Sequence, residues 1–175
     1  IISGGLEAGK IADKLKKADA FVLLSLNFPK KNTANSAEAD PEPMEVLRLR
    51  ADAPKNAAKL AQAGVKFTFQ SGGMPSLTDF FANAAKTTEN GLSKEDAVKA
   101  MTLNAAEILG VSDRLGSIEA GKIANLVVSR GDILSKDKAI THVFVDGKLF
   151  EQKPPAPPAE RRGGAAIADT AKVLQ

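Results

Sequence analysis

The sequence predicts an α/β fold followed by a smaller all-β portion, and three features carry that expectation. Residues 21–26 form a continuous apolar run of strand length, the pattern of a strand buried on both faces. Apolar residues at helical spacing precede and follow it, so strands and helices alternate. Farther on, Val143-Phe144-Val145 and Lys148-Leu149-Phe150 flank Asp146-Gly147, a two-residue hairpin turn whose members tolerate positive φ.

In chain order, residues 1–3 read as the end of a strand and Gly4-Gly5 as a turn. Residues 6–17 read as a helix with Leu6, Ile11 and Leu15 on one side. The stretch from Gly4 to Lys10 also matches the phosphate-loop spacing of two glycines and a lysine. It fails at Ile11, where a phosphate loop needs Ser or Thr for Mg²⁺, and the strand that follows ends in Ser25-Leu26-Asn27 without a metal-binding Asp. A plain strand-to-helix turn is the reading that remains.

Residues 27–43 form a long polar connection broken by Pro29, Pro41 and Pro43, of the kind found in active-site lids or disordered segments. Its Lys30-Lys31 pair suits either an anionic substrate group or plain solvation. Residues 44–50 and 54–63 are helical in pattern, with Pro54 placed for a first turn and Gly64 for a stop. Residues 65–70 alternate Val65, Phe67 and Phe69 with Lys66, Thr68 and Gln70, a strand with one polar face. Ser71-Gly72-Gly73-Met74 turns the chain into a further helix over residues 77–86.

Residues 92–130 are the most informative stretch. Ser93 caps a helix with Asp96 three residues on, and Val98, Met101, Ala105, Ile108 and Leu109 follow at helical spacing up to Gly110. Thr102 and Asn104 compete for backbone hydrogen bonds, so one helix or two short ones joined near Thr102 both fit. Gly116 and Gly121 bracket a turn-rich segment, and residues 126–129 read as a buried strand.

Ala97, Thr102, Asn104 and Ala106, then Leu109-Gly110, Gly116-Ser117-Ile118, Gly121-Lys122 and Ala124-Asn125-Leu126-Val127-Val128 together resemble the C-terminal signature of the amidohydrolase superfamily, in particular its imidazolonepropionase-like members. Asn125 stands where that signature has Asp; it keeps an acceptor for the turn and loses the charge. The resemblance implies the last three βα units of a (β/α)₈ TIM-type barrel over residues 1–110, with the first strand here as the barrel's sixth. It implies a small β-sandwich portion over residues 111–151, and residues 152–175 then read as a Pro/Gly-rich tail. A whole barrel takes about 250 residues, so 175 fit the C-terminal piece of a longer polypeptide.

The resemblance further implies a metal-dependent hydrolase of a non-peptide C–N bond, an amide or cyclic amide, in which an Asp after the last barrel strand accepts a proton from metal-bound water. The aligned tripeptide is Ser71-Gly72-Gly73, so that Asp is missing. Asp79 is the nearest carboxylate downstream, either a helix-dipole residue or a shifted catalytic one. The barrel-mouth candidates are Ser3, Asn27, Ser71, Gly72, Gly73 and Met74. A divalent metal, zinc or similar, is expected for the full-length family and none for this chain, since a His-rich site needs several histidines and His142 is the only one. The isolated chain is therefore expected to be inactive. The alternative is a non-catalytic binding or interaction domain that has lost the metal site.

Composition narrows the partners. The 24 basic and 21 acidic residues are mixed along the chain, which gives no basic face for nucleic acid. No apolar run approaches the roughly 20 residues that span a bilayer. The absence of Cys excludes disulfides and thiolate metal sites and leaves the compartment undetermined. The expected partners are a small-molecule substrate in the full-length protein and, because three barrel strands leave open edges, either the rest of the barrel or another copy.

Overall fold

The structure, a computed structural model, describes residues 1–31, 42–74 and 76–151. Most of the 27–43 connection, read as a lid or a disordered segment, and all of the 152–175 Pro/Gly-rich tail lie outside the described residues.

The first sheet is parallel, in the order β1 (Ile2–Gly4), β2 (Val22–Ser25), β3 (Phe67–Gln70). Parallel neighbours need crossovers, and α1 (Ala12–Lys17) supplies the first while α2 (Met44–Asp52) and α3 (Asn56–Gln62) supply the second. Val22 and Leu24 lie opposite Phe67 and Phe69 in register, and all four are buried in one core with Ala8, Leu15, Ala57 and Leu60. The other pleat carries Ser3, Leu23, Ser25, Thr68 and Gln70.

The expected helix over residues 6–17 is shorter than its pattern suggests. A 3₁₀ turn (Ala8–Ile11) precedes α1, and the buried face is Ala8, Ala12 and Leu15, with Ile11 46% exposed. Gly9 explains the tight turn: its N–H donates to Asn56 Oδ1 at 3.0 Å, and a Cβ there would lie 2.5 Å from the same oxygen. Lys10 pairs with its neighbour Glu7. Of the phosphate-loop spacing, Gly9 thus serves a packed turn, while Gly4 ends β1 and Lys10 is an exposed partner of Glu7. Thr68 also departs from expectation. It is buried and donates to the Ala100 carbonyl at 2.6 Å, so the middle of the polar pleat is covered by a helix.

After α4 (Leu77–Glu89), the chain forms two short helices, α5 (Lys94–Met101) and α6 (Leu103–Ile108), broken at Thr102. Ser93 Oγ accepts the Asp96 N–H at 3.0 Å, as the capping pattern requires. Thr102 spends its hydroxyl on the Val98 carbonyl at 2.8 Å, and Gly110, at φ +71°, ends the pair. The inward face differs from the apolar spacing: Ala97, Ala100, Ala106 and Ile108 are buried, whereas Val98 faces outward and Leu109 is 71% exposed. Small side chains let these helices lie close against β3.

The second sheet is antiparallel, in the order β4 (Leu126–Arg130), β5 (Ala139–Val145), β6 (Lys148–Glu151). Its turn has Asp146 at φ +49° and Gly147 at φ +75°, the two positive values a two-residue hairpin of this type needs. The strand expected to be buried at residues 126–129 is largely open, with Val127 57% and Val128 44% exposed. Its apolar pattern has no covering layer among the described residues. Between β4 and β5 the chain returns to the first unit: Leu134 is buried in its core, Asp132 pairs with Lys94 at 2.6 Å, and the Lys138 ammonium lies 5.2 Å from the Phe81 ring centre.

Candidate functional site

The three parallel strands end on one side of the sheet, where Ser3, Ser25, Gln70 and the loops after them meet. Gln70 Nε2 donates to Ser3 Oγ at 3.1 Å and to the Leu23 carbonyl at 3.0 Å, so one carboxamide stitches the ends of all three strands. Ser25 is buried, and its Oγ accepts the Asn27 N–H at 3.1 Å. The Asn27 side chain turns the other way and donates to the Gly72 carbonyl at 3.1 Å.

The β3–α4 loop is shaped by two glycines, Gly72 at φ +59° and Gly73 at φ +78°. The Met74 N–H closes the turn on the Ser71 carbonyl at 3.2 Å. A Cβ on Gly72 would fall almost on top of Ser25 Oγ and lie 3.2 Å from both Ser25 Cβ and Asn27 Cβ. Below the loop, the buried Asn83 of α4 donates to the Leu26 carbonyl at 2.9 Å and reaches Met74 Sδ at 3.6 Å. It ties both rim loops to the helix. Ser76 caps α4 by accepting the Thr78 N–H at 3.2 Å, and in the helix's first turn Asp79 pairs with Lys30 at 3.4 Å.

Of the six barrel-mouth candidates, Ser3, Asn27, Gly72 and Met74 are drawn into this network. Ser71 lends it only a carbonyl, and Gly73 has open space around it. Sequence reasoning missed Ser25, Gln70 and Asn83. The alternation over residues 65–70 placed Gln70 on the polar face, but nothing local marks the other two. Asp79 pairs with Lys30 and lies in the first turn of α4, where a carboxylate meets the helix dipole.

Chemically, the strand ends offer hydroxyls, carboxamides and backbone groups. They make hydrogen bonds with neutral polar groups and supply no ionised proton acceptor. The donor set does not fit a divalent metal either: no group of three His, Cys, Asp or Glu is close enough among the described residues. His142 sits in β5, with Nδ1 3.0 Å from Thr141 Oγ1. The carboxyls whose pKa moves are surface groups elsewhere, such as Glu119, held down by its hydrogen bonds from Ser117 and then Lys122.

The residues of the C-terminal signature form a second constellation. Asn104 Nδ2 donates to the Phe67 carbonyl at 2.9 Å. A Cβ on Gly116 would lie 2.6 Å from Ala106 Cβ, so that glycine permits the turn to press on α6. Asn125 Oδ1 accepts the Asp146 N–H at 2.8 Å, and the Gly147 N–H donates to the Ala124 carbonyl at 3.1 Å. The uncharged Asn therefore retains the acceptor that holds the hairpin turn.

The family model described as the Amidohydrolase family matches residues 42–150. An imidazolonepropionase from Flavobacterium psychrophilum is 29% identical over 105 residues, which cover 54% of this chain and 26% of the relative. Among solved structures, an amidohydrolase from Thermotoga maritima MSB8 superposes with a TM-score of 0.69 at 31% identity, over 86% of this chain and 37% of the other. An adenosine deaminase from Xanthomonas campestris with bound zinc shares the fold at a TM-score of 0.51 and 23% identity, over 80% of this chain and 34% of the other. The chain thus spans about a quarter to two fifths of the length of these proteins.

Proposed function

Because the chain belongs to the amidohydrolase family, we propose that it forms the last three βα units of a (β/α)₈ barrel and the adjoining small β-sandwich portion of an enzyme that hydrolyses a non-peptide C–N bond, an amide or cyclic amide. The observation that carries this reading is the signature itself as it is folded. Asn104, Gly116 and Asn125 each join one part of the chain to another, which gives the resemblance a structural reason. The barrel portion corresponds to residues 1–110 and the sandwich portion to residues 111–151.

The open strand edges support the second half of the proposal, that the chain works with further strands. β1 and β3 each have one unpaired side in the described sheet. Beside β1 lies an apolar hollow lined by Ile2, Ala8, Ile11 and Leu15, surface that water wets at a cost. We assign this edge to the rest of the barrel, from another polypeptide segment or a second copy. The small-molecule substrate then binds across the completed barrel mouth, to which this chain brings Ser3, Asn27 and the Ser71–Met74 turn. Without a proton acceptor or a fitting donor set for a divalent metal, the chain alone does not hydrolyse.

The test is to tag the chain in its own cells, isolate it with whatever completes the sheet, and measure bound metal and hydrolysis of a panel of amides and cyclic amides. Stoichiometric zinc, iron or manganese with turnover is the expected outcome. A metal-free, inactive assembly would refute the hydrolase and establish the second reading, a non-catalytic binding domain of the same fold. That second reading is favoured by one observation, the lack of any carboxylate or imidazole at the three described strand ends.

A further inference from the structure

We infer that the Ser25 hydroxyl of the neighbouring strand occupies the place of a side chain at position 72, at the end of β3, so that any residue other than glycine there must displace it. Ser25 is 6% exposed, and its Oγ fills the space into which a Cβ on Gly72 would project. Asn27 reinforces the closure, because its Cβ stands 3.2 Å from that position and its carboxamide holds the Gly72 carbonyl. The three residues form one unit: Ser25 Oγ accepts from Asn27, and Asn27 donates to Gly72.

The consequence is chemical. A group that takes a proton from position 72 needs a side chain there, and the Ser25 hydroxyl already lies in that volume. The rim made by β2 and β3 consequently presents uncharged hydrogen-bonding groups only, and the proton acceptor of the proposed reaction comes from outside it. A substitution at 72 installs one only by displacing the Ser25 hydroxyl. This inference deepens the proposed function and rests on its placement of the strand ends at the substrate. Its test reads stability, so its outcome does not depend on whether the enzyme reading succeeds.

The experiment is a double-mutant cycle on the 175-residue chain with thermal unfolding as the readout. Gly72→Asn is chosen because Asn tolerates positive φ and carries no charge, which leaves steric conflict as the main cost. Expected is a clear loss of Tm for Gly72→Asn in the wild-type background and about half of that loss or less in the Ser25→Ala background. Equal losses in the two backgrounds would overturn the closure by Ser25. Gly72→Ala repeats the comparison with the smallest possible side chain should Gly72→Asn fail to fold, and a full additive loss there would overturn it as well.

Discussion

The carboxamide of Asn104 donates to the carbonyl of Phe67 across 2.9 Å, and through this bond the α5–α6 pair is fastened to β3. Thr68, the next residue of the strand, donates in turn to the Ala100 carbonyl. Helix and strand thus hold each other at consecutive positions. Replacing Asn104 by Leu leaves the carbonyl of a buried strand residue without its donor, and the expected loss is about 1–3 kcal/mol. Asn104→Asp removes the same N–H at nearly the same volume and sets a carboxylate against the carbonyl, so urea denaturation should show at least as large a loss.

Leu134 fastens the β4–β5 connection to the core of the first unit. Leu134→Ala should destabilise the fold by about 2–5 kcal/mol, the range for a buried leucine. If the second sheet were merely tethered, the loss would be negligible in the same denaturation experiment.

Asp132 gives the connection its pH dependence. The Lys94 ammonium, and then the Leu134 N–H, hold its carboxyl below its ordinary value of 3.8. A lowered folded-state pKa contributes stability that is complete above the ordinary value and is lost as pH falls through the lowered one. Between neutral pH and pH values below about 4, Asp132→Asn should therefore lose less Tm than the wild type. Equal losses would remove Asp132 from the account.

At the hairpin, Gly147→Val forces a β-branched residue to φ +75° and should cost about 1–3 kcal/mol. Lys10→Ala, which removes only an exposed partner of Glu7, should leave Tm unchanged. Nucleotide binding that disappears with Lys10→Ala would revive the phosphate-loop reading.

These cases also show which parts of the molecule were legible from its residues. The Ser93–Asp96 cap and the Asp146-Gly147 turn were readable because each is a bargain between neighbours in sequence, whereas at Thr102 one helix and two short ones both fitted the residues and the structure has two. The inward face of α5 and α6 was not, because alanines packed on β3 carry less hydrophobic signal than Val98 and Leu109, which face outward. Burial at Val127 and Val128 misled for the opposite reason: apolar strand composition records a covering layer that the described residues do not supply. At the strand ends, Gly72 was visible as a departure, whereas the hydroxyl that lies in the place of its side chain belongs to Ser25, 47 positions earlier in the chain. Only the register of β2 on β3, with Ser25 opposite Gln70, brings them together.

With one His and no Cys in its whole length, the chain by itself is expected to hold no metal, and the proposed hydrolase to acquire one only with the segments that complete the barrel. Metal analysis of the purified 175-residue chain by inductively coupled plasma mass spectrometry tests it most directly. The account predicts zinc, iron and manganese at trace levels only. One tightly bound equivalent of any of them per chain would contradict it.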